Sequence, residues 1–267
     1  MQNKVHMKII KHTLRYIKYL FKSKDHYSIH SPTIYNFISN VIYSKTSKVE
    51  TEEIKKLRAQ LYANESFINI KDYGAGSNIN NNSKRKIKDI ARNSSKNSKY
   101  GDLLYRIVKY LQPNTIFELG TSFGISTCYL AKAGPQATIT TFEGCNESVK
   151  IASNNFAKLE LNNIKIIHGN FKDTLEKEFA RNNNLDLIFI DGNHTENATI
   201  KYFELALNHS HNKTIIIFDD IHWSKGMENA WKHITRSKKT TVTIDLFFVG
   251  IVFLDPKLSK ENFIIRF

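Results

Sequence analysis

Apolar residues follow two rhythms along this chain, and the change falls near residue 100. Upstream the rhythm is helical. Residues 4–22 set Val5, Ile9, Ile10, Leu14, Ile17, Leu20 and Phe21 at three- and four-residue spacing, with Lys4, Lys8, Lys11, Arg15, Lys18 and Lys22 filling most of the remaining arc. That pattern predicts a basic amphipathic helix. Residues 26–43 (HYSIHSPTIYNFISNVIY) carry Ser31-Pro32 as a helix start and aromatics at helical intervals, which suits a substrate-side cap or a dimer contact. Residues 50–64 predict a charged amphipathic helix. The stretch 74–99 is polar, basic and rich in Asn and Ser, which predicts a lid or entry loop with one short helix. Lys84, Arg85 and Lys86 there face solvent or an anionic substrate; a plain solvated linker is the bland alternative.

From Tyr100 onward the texture alternates. Asp102–Leu111 predicts a helix that Pro113-Asn114 stops. Strand-like apolar runs follow at Thr115–Glu118, Thr138–Glu143, Ile164–His168, Leu185–Asp191 and Thr214–Asp219. Helical patterns occupy 124–133, 146–160, 171–182, 195–208 and 225–236. Continuous apolar strands alternating with helices predict an α/β fold with a parallel sheet covered on both faces. Thr240–Asp245, Phe247–Leu254 and Phe263–Phe267 lie close together without a helix and predict antiparallel strands at the sheet edge. The chain thus divides into a helical extension with its loop (1–99) and an α/β domain (100–267).

Composition adds two constraints. The net charge of +14 points to an anionic surface or substrate, although lysines spread over solvated faces account for it equally well. The two cysteines, Cys128 and Cys145, lack ligand spacing and suit a reducing cytoplasm. No apolar run is long enough to span a bilayer and no signal segment is evident, so the expected location is cytoplasmic, with peripheral membrane contact through residues 4–22 left open. A homodimer is left open too.

The chemistry sits at the strand ends, where open α/β sheets bind ligands. Thr115–Ser126 reads as a strand, a tight turn and a helix start, with Glu118, Gly120 and Gly124 in Glu-x-Gly-x-x-x-Gly spacing. The turn Gly120-Thr121-Ser122 lets a ligand approach the backbone, and the helix start offers unpaired N–H groups. An acid in that position repels a pyrophosphate and welcomes a cationic ligand such as S-adenosylmethionine (SAM). Glu143-Gly144, twenty-five residues after Glu118, is placed for a ribose, and Asn170-Phe171 for an adenine. Asp191, Asp219 and Asp220 end neighbouring strands, and such clustered charge calls for a divalent cation, with Mg²⁺ foremost for hard oxygen ligands. His194, three residues after Asp191, is the candidate base. His222 is a weaker candidate, and Trp223 a candidate pocket wall. The Asp72–Ser77 turn (DYGAGS) is set aside as a decoy, because a polar, basic, Asn/Ser-rich stretch follows it. His26 and His30 straddle a helix boundary, which argues against a metal site.

The segments FELGTSFGIS, TFEG, HGNF, LIFIDGNHTENA and IIIFDDIHW resemble class I SAM-dependent methyltransferases, and more narrowly the metal-dependent O-methyltransferases of the catechol and macrolide-sugar types. The resemblance spans about residues 100–255. It implies a doubly wound, Rossmann-like, mostly parallel seven-stranded sheet with antiparallel C-terminal strands. It implies that Glu118, Gly120 and Ser126 hold the methionine part of SAM, that Thr121, Ser122 and Gly124 complete that turn, and that Glu143 and Gly144 meet the ribose. Asn170 and Phe171 would flank the adenine. Asp191, which also borders the cofactor, would carry the metal with Asp219 and Asp220. The catechol enzymes have a lysine where this chain has His194 and an asparagine where it has Asp220, which favours the sugar-modifying branch.

Metal-assisted methylation of a sugar or phenol hydroxyl on a small molecule follows as the leading expectation. A metal-independent SAM methyltransferase acting on another nucleophile is the second reading. A non-catalytic basic α/β module that binds a membrane or partner is the third. No base-flipping signature or nucleic-acid module is present, so a nucleic-acid substrate is not expected.

Overall fold

The computed structural model describes residues 2–25, 29–70, 83–94 and 98–267. His26 and the Asp72–Ser77 turn lie outside them. The chain begins with α1 (Gln2–Lys22), α2 (Pro32–Phe37), a π-helical turn (Ile38–Ile42) and α3 (Lys48–Ala63). A two-stranded antiparallel sheet follows, β1 (Phe67–Ile70) with β2 (Ser83–Lys86), then α4 (Ile87–Ser94) and α5 (Ser98–Leu111).

The central unit then alternates: β3 (Thr115–Leu119), α6 (Ile125–Ala133), β4 (Thr138–Glu143), α7 (Asn146–Lys158), β5 (Ile164–His168), α8 (Phe171–Ala180), β6 (Leu185–Ile190), α9 (Glu196–Asn208), β7 (Ser210–Asp219) and α10 (Lys225–Arg236). The tail forms β8 (Val242–Asp245), β9 (Val249–Phe253) and β10 (Glu261–Ile264). The main sheet has eight strands in the order β10-β8-β9-β7-β6-β3-β4-β5, one more than the expected seven.

The five strands β3 to β7 pair in parallel, as expected of apolar runs with both faces covered. On one face, α8, α9 and α10 bury Phe179, Phe203 and Trp231 against Phe117, Ile188 and Phe218. On the other, Leu103, Tyr129 and Phe156 pack with Ile34, Phe37, Ile54 and Leu57, so α2 and α3 share a core with the sheet.

Two regions depart from expectation. β9 is antiparallel to both neighbours, but β10 pairs with β8 in parallel rather than antiparallel. A chain that reverses after β9 runs antiparallel to it, and β8 already runs that way, so docking beside β8 makes a parallel pair. Residues 83–94, expected as loop with one short helix, also contain a strand. The Lys84 and Lys86 ammonium groups each lie 5.5 Å from the centroid of Phe67, and buried Ile87 and Ala91 seat α4.

The end of the sheet remote from the strand-end loops is pinned by Asp186. Its Oδ2 accepts from the backbone N–H groups of Asn114 (2.8 Å) and Thr115 (2.9 Å), and its Oδ1 meets His211 Nε2 at 2.9 Å. Asp186→Ala leaves two backbone donors without their acceptor. Urea unfolding is expected to show a loss of about 2 kcal/mol, with ligand binding at the far end of β3 unchanged.

Candidate active site

The carboxyl ends of β3, β4, β5, β6 and β7 open onto a cavity of about 980 Å³. Its acidic edge includes Glu143, Asp191, Asp219 and Asp220; Lys84, Arg85, Lys86, Tyr100 and Leu104 line it as well.

The turn after β3 is shaped by backbone geometry. Gly120 has φ +113°, and a Cβ built there would lie 2.2 Å from the Asp191 carbonyl oxygen. The amides of Gly120 and Thr121 both donate to the Phe142 carbonyl at 3.1 Å, and Asp191 N donates to the Leu119 carbonyl at 2.9 Å. The ends of β3, β4 and β6 are thereby laced together, with only a glycine fitting between two of them. Ser122 N–H donates to Glu143 Oε2 (2.8 Å) and Cys145 N–H to Oε1 (2.7 Å). The Gly144 N–H is a third backbone donor to this carboxyl. Burial pushes the Glu143 carboxyl above its usual range, against these backbone donors.

Glu118 and Gly124 stand behind the cavity wall rather than in it. Gly124 is the left-handed residue before α6, and its missing side chain makes room for Phe156. Glu118 is fully buried; Thr141 Oγ1 donates to its Oε2 at 2.6 Å, as does the Thr127 hydroxyl. Its Oε1 has no hydrogen-bond partner among the described residues. Burial pushes its pKa up to about 7, only partly offset by hydroxyl donors that include Ser126, which lines the cavity. A buried, half-satisfied carboxyl behind a helix start fits a ligand that carries positive charge.

Gly144, Asn170 and Phe171 line the cavity. Asn170 caps α8 by accepting from Lys172 N–H at 2.9 Å, which leaves its side-chain NH₂ as a donor. Phe171 packs edge-on against Tyr202 and close to Gly192.

Asp191, His194 and Asp219 converge, with one ligand atom from each within 4.8 Å of the others. His194 Nε2 lies 3.5 Å from Asp191 Oδ1. The two carboxylates suit a hard divalent cation, and the imidazole beside them can add a ligand or take a proton. Asp220 lines the cavity but stands outside this trio: Asp219 ends β7, whereas Asp220 leaves the strand at φ +55°. His222 and Trp223 are not among the lining residues. His222 is bonded to Asp245 at 2.7 Å and stacks on Phe247, while Trp223 is exposed. Tyr100, Leu104 and Phe67 line the cavity as well, and nothing in the sequence marks them as site residues.

Residues 117–221 match a family model described as "Methyltransferase domain". No curated protein matches the sequence. Among solved structures, the fold is similar to an O-methyltransferase from Bacillus cereus in complex with SAH, at 22% identity and TM-score 0.55, over 82% of this chain and 96% of that one. It is similar to an SAH-bound methyltransferase from Podospora anserina, at 13% identity and TM-score 0.59, over 85% of this chain and 97% of that one. It is also similar to an O-methyltransferase from Streptomyces achromogenes involved in tomaymycin synthesis, in complex with SAM, at 18% identity and TM-score 0.53, over 61% and 82%. These identities make each a likeness of fold.

Proposed function

We propose that this class I methyltransferase transfers the methyl group of SAM to a hydroxyl of a small molecule, a sugar or a phenol, beside a divalent cation. The convergence of Asp191, His194 and Asp219 on the cavity that holds the Gly120–Ser122 turn carries this reading. The O-methyltransferases among the structural likenesses support it. Residues 100–267 supply the transfer machinery, and residues 1–99 supply part of the wall through which the acceptor enters.

SAM supplies an electrophilic methyl on its sulfonium, and the cation, Mg²⁺ foremost, supplies Lewis acidity to the acceptor oxygen. The residues of this chain bind and orient. The N–H groups at the start of α6, where Ser126 lies, take the methionine carboxylate, while Glu118 favours its positive charges. Glu143 accepts from the ribose hydroxyls beside Gly144, and Asn170 and Phe171 flank the adenine. Asp191 and Asp219 are the carboxylates for the cation, and Asp220 adds negative charge on the same edge. His194, oriented by Asp191, accepts the proton of the acceptor hydroxyl at a ring nitrogen.

The test is calorimetric titration of SAM with and without Mg²⁺, paired with Mn²⁺ binding read by electron paramagnetic resonance, on the wild type and Asp219→Ala. The expected result is micromolar SAM binding and a cation site weakened about a hundredfold or more in the variant. SAM binding with no cation effect would favour the metal-independent reading. Absence of SAM binding would sink both and leave the non-catalytic module.

A further inference from the structure

α1 carries more apolar surface than the body of the protein covers. At 100° per residue, Ile10, Leu14, Ile17 and Phe21 fall within about 60° of arc and run about 16 Å along the axis. His12, Tyr16 and Tyr19 lie elsewhere on the helix and pack on Phe247, with ring centroids 5.2, 4.9 and 5.3 Å apart. The Arg15–Glu228 ion pair at 3.2 Å and the Tyr19 hydroxyl bonded to the Ile265 carbonyl fix the helix's rotation. The stripe is thereby turned to solvent: Phe21 is 88% exposed, Leu14 59%, Ile10 53% and Ile17 42%. Single exposed apolar side chains are ordinary, but four in line on one helix form a patch.

We propose that this stripe seats the protein on an anionic lipid bilayer, with α1 lying in the plane of the interface. Charge selects this occupant. Lys18 and Lys22 are exposed beside the stripe, and Lys24 and Arg266 lie at its end, where the Arg266 guanidinium donates to the Leu20 carbonyl at 3.2 Å. A second copy docking through the same stripe would bring α1, which carries six Lys or Arg residues and no acid, against an identical helix. An anionic surface meets them with opposite charge, and the chain as a whole carries +14. An in-plane apolar stripe flanked by lysines is also the form that interfacial binding takes. No described helix is long and apolar enough to cross a membrane, so α1 lies on the surface. The seat is joined to the cavity wall, because His12 contacts Trp223 and Phe248, which are close in sequence to Asp220 and Val249 of the lining.

The experiment is flotation of the full chain with vesicles of phosphatidylcholine alone or with about one-third phosphatidylglycerol. Sedimentation of the protein without vesicles and thermal melting accompany it. The expected result is partition onto the anionic vesicles at least about tenfold stronger than onto neutral ones, and released by salt. Leu14→Ser/Phe21→Ser and Lys18→Glu/Lys22→Glu should each weaken that partition about tenfold or more with unchanged melting, since these side chains face solvent. Failure to bind anionic vesicles overturns the proposal, as does wild-type partition in both double variants. A concentration-dependent dimer that Leu14→Ser/Phe21→Ser abolishes, without vesicle binding, assigns the stripe to a second copy instead.

Discussion

Glu118→Gln is expected to flatten the pH dependence of both stability and SAM affinity between pH 5 and 8. The carboxyl titrates near 7 in the folded chain and at its ordinary 4.5 when unfolded, because burial disfavours its charged form. A carboxyl that holds its proton more tightly when folded favours the fold most below its unfolded pKa. That contribution is lost as pH rises from 4.5 to about 7. The window corresponds to about 3 kcal/mol for a fully buried group. Urea unfolding of the ligand-free protein should therefore show stability falling across this window, and the difference between wild type and Glu118→Gln isolates Glu118 from other titrating groups such as Glu143. Ligand affinity runs the other way. A cation-bearing ligand favours the ionised carboxylate, so binding should strengthen by up to about tenfold per pH unit below 7 and level off above it. In the variant the affinity is lower and nearly independent of pH. An unchanged slope in Glu118→Gln would show that the linked proton belongs to another group.

That acid also marks where sequence stops and structure begins. The strands β3 to β7 were legible because each is an apolar run between turn signals, and parallel strands buried on both faces leave that trace. Placing their carboxyl ends on one edge followed from topology, so Glu143, Asp191 and Asp219 could be grouped from sequence alone. Glu118 is visible as a strand-end acid, but nothing in its spacing says that it lies behind the wall with one oxygen lacking a partner among the described residues. Asp220 reads as a ligand from its residue type, whereas its φ of +55° leaves no trace in the sequence. β2 left no trace, because Ser-Lys-Arg-Lys has no apolar alternation and owes its strand to pairing with β1 and to lysines over Phe67. Leu104 reads as the core face of the helix expected over Asp102–Leu111, and an apolar cavity wall has the same periodicity as a core.

The largest effect from the smallest change is expected at Gly120→Ala. The added methyl would lie 2.2 Å from the Asp191 carbonyl oxygen and 2.8 Å from its carbon, at a φ of +113° that L side chains rarely adopt. Neither backbone can give way easily. Gly120 is tied to Phe142, Asp191 is tied to Leu119, and the last residues of β3 and β6 are in register at Leu119 and Ile190. The strain should lower stability by about 2–4 kcal/mol. What moves is Asp191, so SAM affinity and Mn²⁺ affinity should fall together, each by about a hundredfold for a displacement of roughly 1 Å. Gly124→Ala is the control. It is also left-handed, but its methyl would meet the Phe156 ring 2.4 Å away, a side chain outside the cavity wall. That variant should be destabilised comparably while keeping its cation site, because Asp191 and Asp219 are untouched. Gly120→Ala that melts early yet binds Mn²⁺ like the wild type would separate the turn from the acidic trio. Loss of cation binding in Gly120→Ala alone would tie the two into one site, because the glycine touches no metal ligand except through the backbone of Asp191.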